Sequence, residues 1–230
     1  MSCTLITAFL TGCGSSDSPY AEGGISSGTN LITEKNFVMA FDEPNPKVID
    51  SEGLHSGVEV VISISASDKL LLATSGATAY LDVDWGTLSA NSCQISSGSC
   101  TITWTGNGNF NQPFFPGDGD LNTNDELITF TAWVLGEESF SDLNGNGVFD
   151  DGDVFINDTS GPFLDLDFSG TFSAGDKVLF PGNNNGVLTA ADGLYNGAEC
   201  SHSSLCNPVT TQVYISDRLI VSIVDGVNPP

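Results

Sequence analysis

Positive charge is nearly absent from this sequence. Its 230 residues contain five Lys and Arg together and two His, against 29 Asp and Glu, so the formal net charge is -24. Such a surface repels phosphate backbones and anionic lipid headgroups, which argues against binding to nucleic acid and against charge-driven binding to a membrane surface. Divalent cations are the natural partners of this charge.

Long apolar runs and helical spacing are missing as well. Beyond the N-terminus no segment approaches the roughly 18 apolar residues of a membrane-spanning helix. The chain instead has 26 glycines, many Asn, Ser and Thr, and short runs of Val, Ile, Leu and Phe, with 40% hydrophobic residues in all. Such runs are typical of strands joined by turns, and the hydrophobic content is enough for a core. The predicted fold class is all-β.

Six or seven short apolar or alternating runs predict the strands of a β-sandwich. The runs cover 36–41, 58–65, 77–83, 94–105, 127–135 and 212–224. Trp85, Trp104 and Trp133 are predicted to anchor the core, and an aromatic platform for sugar rings is the alternative use of these tryptophans.

The N-terminus is a short apolar stretch that ends in Leu10-Thr11-Gly12-Cys13 and passes into a Ser-rich segment. This pattern resembles the lipobox of bacterial lipoproteins, although no basic residue precedes it; a buried first strand is the alternative. The resemblance implies that residues 1–12 are a signal peptide and that Cys13 carries the lipid. Residues 13–30 then form a flexible tether. The chain is expected at a bacterial outer membrane or cell surface, joined to the membrane only by its lipid.

Four cysteines remain outside that leader, and they form two close pairs, Cys93 with Cys100 and Cys200 with Cys206. In an exported chain such pairs predict two local disulfides, each worth roughly 2.5 kcal/mol in the chain-entropy model. A zinc site is not expected, because neither histidine stands at ligand spacing.

Part of the chain resembles a known family of bacterial domains. The resemblance is carried by Trp85-Gly-Thr-Leu-Ser-Ala, by the hairpin from Cys93 to Cys100 with its following Thr-Ile-Thr-Trp104, and by the strand end Ala-Trp-Val-Leu-Gly-Glu-Glu138. These stretches resemble immunoglobulin-like domains related to the invasin and intimin modules. The resemblance covers residues 31–136 plus 209–225 and implies a Greek-key sandwich that serves in adhesion or as a spacer.

The intervening segment, 137–208, contains a repeat with an offset of 23 residues, since Phe140–Asp153 aligns with Phe163–Asp176. Each unit fits a twelve-residue calcium loop. In such a loop, places 1, 3, 5, 9 and 12 supply side-chain oxygens, place 7 supplies a backbone carbonyl, and Gly at place 6 makes the sharp turn. The segment is therefore predicted to be a long calcium-binding insertion before the last strand of the sandwich.

The predicted calcium ligands follow from this alignment. The first loop offers Asp142, Asn144, Asn146, the Val148 carbonyl, Asp150 and Asp153, and the second offers Asp165, Asp167, Ser169, the Thr171 carbonyl, Ser173 and Asp176. Phe149 and Phe172, at place 8, are expected to point into the core. The loops resemble those of EF-hand and dockerin proteins, but place 12 is Asp instead of Glu and the flanks are extended. This implies structural sites for about two calcium ions, or more, and no conformational switch.

Two further segments are rich in oxygen ligands. A third unit, 183–192, is degenerate, and 118–126 contains the cluster Asp118, Asp120, Asn122, Asn124 and Glu126, for which a solvated loop is the alternative to an ion site. The alternative for both main loops is an acidic turn without metal. Calcium is favoured because carboxylates about 5 Å apart repel by roughly 1 to 3 kcal/mol per pair, and because a connection as long as 137–208 needs something to order it.

The sequence contains no motif that pairs a nucleophile with a base, so it predicts no enzyme and no catalytic residue. Paired acids for glycoside hydrolysis are the one catalytic alternative, because Asp and Glu are abundant. The predicted function is that of a calcium-stabilised cell-surface module in adhesion or spacing. Its expected partners are calcium and, beyond it, other surface proteins, glycans or copies of itself. Two alternatives stay open: a filament subunit assembled by strand addition and calcium, and a carbohydrate-binding module.

Overall fold

A computed structural model of the chain describes residues 31–43, 46, 49–50, 53–54, 57–107, 127–179 and 187–222. The described residues contain one turn of 3-10 helix at Glu34–Asn36, no α-helix and fourteen strands. The strands are β1 (Phe37–Phe41), β2 (Ile49–Asp50), β3 (Gly53–Leu54), β4 (Val58–Ala66), β5 (Thr78–Val83), β6 (Thr87–Leu88), β7 (Ser92–Gln94), β8 (Ser99–Gly106), β9 (Leu127–Gly136), β10 (Phe140–Ser141), β11 (Val154–Phe155), β12 (Phe163–Leu164), β13 (Lys177–Val178) and β14 (Val213–Ser222). The all-β prediction is confirmed.

Several predictions concern residues outside this description. They are the signal peptide, the tether with its lipidated Cys13, the acidic cluster 118–126, and residues 183–186 of the third unit. Within the described part of the chain, no helix has both the length and the apolar character needed to cross a membrane.

Two antiparallel four-stranded sheets form the predicted sandwich. One sheet has the strand order β1-β4-β8-β6, and the other has the order β14-β9-β5-β7. β9 and β14 pair along their whole length, from Leu127 opposite Ser222 to Gly136 opposite Val213. The insertion therefore leaves the second sheet at the end of β9 and returns to it at the start of β14. The immunoglobulin-like assignment of this sandwich stays a prediction.

Alternation of side chains builds the core between the sheets. In β4, Val60, Ile62 and Ile64 are buried, while the residues between them are exposed or half-buried, as expected of a strand with one solvated face. Trp104 is fully buried, and its indole N–H donates to the Trp85 carbonyl at 2.8 Å. The core role predicted for the tryptophans is thus confirmed for these two.

β9 is buried on both faces, because the insertion covers the face that points away from the core. Trp133 lies on that outer face, where it stacks on Tyr80 with ring centroids 5.6 Å apart and packs with Leu164 and Leu179 of the insertion. Trp133 is 8% exposed. All three tryptophans are therefore buried, and none of them forms an exposed platform for sugar rings.

The structure contains both predicted disulfides. Cys93–Cys100 joins β7 of one sheet to β8 of the other, and Cys200–Cys206 closes a short loop in the insertion, with Cα atoms 5.9 and 5.7 Å apart. Two disulfides indicate an oxidising compartment, extracellular or periplasmic.

Candidate metal centre

The two predicted loops are the tips of two short hairpins in the insertion. Site 1 is the loop 142–153, closed by the pairing of β10 with β11, and site 2 is the loop 165–176, closed by β12 with β13. The flanks are extended, as predicted. Gly147 and Gly170, at place 6, have φ of 75° and 77°, a backbone conformation that glycine adopts without steric cost.

In site 1 the first and last acids hold the loop from opposite sides. The Asp142 carboxylate accepts the N–H of Gly147 at 2.7 Å and that of Asn146 at 3.3 Å. The Asp153 carboxylate accepts the N–H of Leu143 at 2.9 Å and that of Asp150 at 3.0 Å. Place 1 thus binds places 5 and 6, and place 12 binds places 2 and 9.

The other predicted ligands of site 1 meet one another inside this frame. The side-chain amides of Asn144 and Asn146 both donate to one oxygen of Asp150, at 2.9 and 2.8 Å. The Asn146 side-chain oxygen accepts the N–H of Val148 at 2.7 Å. The structure therefore brings together the side chains of places 3, 5 and 9.

Site 2 repeats the same hydrogen bonds. Asp165 accepts the N–H groups of Gly170 at 2.8 Å and Ser169 at 3.1 Å. Asp176 accepts those of Leu166 at 2.8 Å and Ser173 at 2.7 Å. The Asp165, Asp167 and Asp176 carboxylates also form a cluster, since one oxygen from each lies within 4.8 Å of the others.

Electrostatics differ between the acids of site 2. Hydrogen bonds from the Ser173 and Ser169 side chains lower the pKa of the Asp167 carboxyl to about 2, so this group is ionised at neutral pH. Asp165 has no exposed surface, and the Arg218 guanidinium of β14 donates to its Oδ2 at 2.9 Å. Arg218 also lies over the Phe163 ring, 4.0 Å from its centroid. The last strand of the sandwich thus supplies a cation to this site.

The prediction for place 8 is right in site 1 and wrong in site 2. Phe149 has no exposed surface and packs against Tyr195 and Phe140, whereas Phe172 is 41% exposed. Phe172 instead meets the edge of Phe163, with centroids 5.5 Å apart. The reason is that site 1 has an aromatic cluster beside it, while site 2 lies against the outer face of β9.

A third site has the same hydrogen bonds, but three separate segments build it. Its turn glycine is Gly193, with φ of 75°. The Asp158 carboxylate accepts the N–H of Gly193 at 2.7 Å and that of Asp192 at 3.0 Å. The Asp192 carboxylate accepts the N–H of Leu194 at 2.8 Å. Asp158, Asp192 and Gly193 therefore stand at places 1, 5 and 6.

Glu138, two residues after β9, occupies place 12 of this third site. Its two oxygens accept the N–H of Thr159, at place 2, and the N–H of Asn196, at place 9, each at 2.7 Å. Glu138 is 1% exposed, and burial raises the pKa of its carboxyl against the effect of these hydrogen bonds. We call Glu138, 158–160 and 192–196 together site 3.

Sequence reasoning missed site 3, although part of its signal was present. The repeat of 23 residues continues in the sequence, because Gly147, Gly170 and Gly193 share that spacing, each with an aromatic residue two positions later. In this register the third loop spans 188–199 instead of the predicted 183–192, and its places 1 and 3 are Leu188 and Ala190. The fold replaces them with residues from 158–160. Glu199, at place 12 in register, instead pairs with Lys69 of the β4–β5 loop.

In all three sites the carboxylate groups offer oxygen atoms as metal ligands. Each brings three carboxylates, which are Asp142, Asp150 and Asp153 in site 1, Asp165, Asp167 and Asp176 in site 2, and Glu138, Asp158 and Asp192 in site 3. Hard oxygen ligands are those that Ca²⁺ and Mg²⁺ prefer. The three carboxylates of site 2 therefore fit a hard divalent cation, and no other group of three acids among the described residues converges as closely.

Comparison with known proteins yields no match to a family model, to a curated protein or to a solved structure. The family resemblances drawn from the sequence stay predictions.

Proposed function

We propose that this chain is a calcium-stabilised extracellular module of a bacterial surface, acting in adhesion or as a spacer. The observation that supports it is one hydrogen-bond pattern that occurs three times. In each site the place 1 acid binds the N–H groups of places 5 and 6, and the place 12 acid binds those of places 2 and 9. Two of the three lie in loops whose sequence alone predicts calcium.

Charge gives the physical reason for an ion. Two carboxylate charges within 4.8 Å of each other, as in site 2, repel by at least about 0.9 kcal/mol at a dielectric of 80 and about 3.5 kcal/mol at 20. Arg218 offsets part of this repulsion in site 2 by pairing with Asp165. A divalent cation removes the remaining repulsion, and the backbone N–H groups stay bonded to the carboxylates.

The insertion is attached to the sandwich at the loops themselves. The Thr129 and Thr131 hydroxyls of β9 donate to the carbonyls of Asp165 and Phe163, at 3.0 and 3.1 Å. Lys69 donates to the Gly147 carbonyl of site 1. An ion in a loop therefore stiffens the contact between insertion and sandwich, and a rigid platform of this kind suits a module that holds or presents a surface.

The alternative functions receive less support. In a filament built by strand addition, β1 or β14 would complete a neighbour's sheet, whereas here each is an edge strand of its own sheet. The Met39 N–H of β1 donates to the Asp217 carboxylate at 2.7 Å, so this backbone donor is already used within the chain. Carbohydrate binding loses the tryptophan platform, because all three tryptophans are buried.

Calcium stoichiometry tests the proposal. After treatment with chelator, equilibrium dialysis of the full chain against calcium is expected to show three bound ions. Asp142→Ala, Asp158→Ala and Asp165→Ala should each remove one, whereas Glu59→Ala, an equal charge change on exposed β4 surface, should remove none. A wild-type chain without saturable calcium binding would contradict the proposal.

A further inference from the structure

The short loop closed by Cys200–Cys206 is bonded to site 1 through place 8. The Phe149 N–H donates to the Glu199 carbonyl at 2.9 Å, and the Ser201 N–H donates to the Phe149 carbonyl at 2.8 Å. These bonds make a parallel β-bridge between Phe149 and Cys200. Cys200 thus lies beside place 8 of site 1.

The other end of the same loop is bonded to site 3, again through place 8. The Tyr195 N–H donates to the Leu205 carbonyl at 2.6 Å, and the Asn207 N–H donates to the Tyr195 carbonyl at 3.1 Å. A second parallel bridge joins Tyr195 to Cys206. The disulfide therefore links Cys200, which pairs with site 1, to Cys206, which pairs with site 3.

Side chains connect the two sites as well. The Phe149 and Tyr195 rings lie 4.8 Å apart, centroid to centroid, and both are almost fully buried in one cluster with Phe140. Site 2 takes no part in this arrangement. Phe172 is 41% exposed, and the isolated bridges found among the described residues do not include it.

Place 8 matters to the ion because it lies between the carbonyl of place 7 and the ligand of place 9. Fixing the backbone of place 8 therefore fixes two positions around the ion. An ion that orders one site also orders the Cys200–Cys206 loop, so the other site loses less conformational entropy when it binds.

We propose that the Cys200–Cys206 loop joins sites 1 and 3 into a cooperative pair of calcium sites, while site 2 binds independently. This inference rests on the proposed function. It assigns the disulfide a positioning role for calcium in addition to its effect on stability. Coupling between linked sites is typically 5-fold to 150-fold in affinity, so we expect at least a fivefold effect here.

The test compares the two disulfides in the Asp165→Ala background, where sites 1 and 3 remain. Replacement of Cys200 and Cys206 by Ser should lower calcium affinity at least fivefold and bring the Hill coefficient to 1. Replacement of Cys93 and Cys100 by Ser is the matched control and should leave both values unchanged. Equal calcium affinity and Hill coefficient in the two disulfide variants would overturn the inference. A wild-type chain that binds no calcium would overturn the proposed function instead.

A second measurement keeps the test decisive if the Cys200 and Cys206 variant does not fold. Asp158→Ala leaves sites 1 and 2, and it should weaken binding at site 1 at least fivefold relative to the wild type. Asp165→Ala should leave site 1 at its wild-type affinity. If both substitutions leave site 1 unchanged, sites 1 and 3 are not coupled.

Discussion

Arg218 pairs with the buried Asp165 carboxylate that we propose as a calcium ligand, so replacing Arg218 should have a calcium-dependent cost. Asp165 has no exposed surface, and its Oδ2 is 2.9 Å from the Arg218 Nη1. Arg218→Met keeps the apolar stem over Phe163 but leaves the carboxylate without a cation. Breaking a buried ion pair in this way costs about 3 to 5 kcal/mol, and we expect that cost in chelator.

Calcium should reverse much of this loss. A divalent ion on the same carboxylate would lie about 5 Å from the guanidinium, and their repulsion is about 2 kcal/mol at a dielectric of 80 and larger in a less polar medium. Removing Arg218 removes this repulsion, so calcium should stabilise the Arg218→Met variant by about 2 kcal/mol more than it stabilises the wild type.

The assay is denaturant unfolding of both chains in 10 mM calcium and in chelator. Lys35→Met is the control, because it also removes one positive charge, but from an exposed residue outside site 2. Its small effect on stability should not depend on calcium. An Arg218→Met variant that loses the same free energy of unfolding in both solutions would refute the shared-carboxylate reasoning.

Three further predictions address the ions, the aromatic cluster and the sandwich edge. With dissociation constants of about 0.1 to 1 mM, 10 mM calcium should stabilise the wild type by about 1.4 to 2.7 kcal/mol per site, and unfolding curves that coincide with and without chelator would argue against structural ions. Phe149→Ala should cost about 3 to 5 kcal/mol because the ring is fully buried, whereas Phe172→Ala, at the same place of site 2, should cost less than about half as much; equal losses in unfolding free energy would contradict the different packing. Burial raises the pKa of the Asp217 carboxyl above 3.8, so its ionised form destabilises the fold at neutral pH and this penalty disappears as the pH falls through the raised pKa. Asp217→Asn should therefore be more stable than the wild type at pH 7 and lose that advantage towards pH 4, and an advantage that stays constant between the two pH values would show that ionisation is not its cause.

Local patterns in the sequence were enough to predict the longer strands of the sandwich and the two loops 142–153 and 165–176. A strand with one buried face alternates every two residues, and β4 does so from Val58 to Ala66. A calcium loop needs its oxygens at fixed places within twelve residues, and 142–153 and 165–176 satisfy that requirement on their own. The Cys93–Cys100 and Cys200–Cys206 disulfides follow from short spacing in the same way, because few residues separate the partners.

The tertiary structure decided the features that depend on which segments meet. Site 3 takes its acids from Glu138, Asp158 and Asp192, and no local pattern connects residues that become neighbours only when the insertion folds back on β9. The same holds for Arg218, which reaches Asp165 because β14 pairs with β9 beneath the second loop. Phe149 and Phe172 occupy equivalent places in the repeat, yet only Phe149 meets the Tyr195 ring. The sequence by itself thus determined strand periodicity, the repeat and the close cysteine pairs, since each depends on spacing along the chain, whereas docking of the insertion decided which side chains share a site.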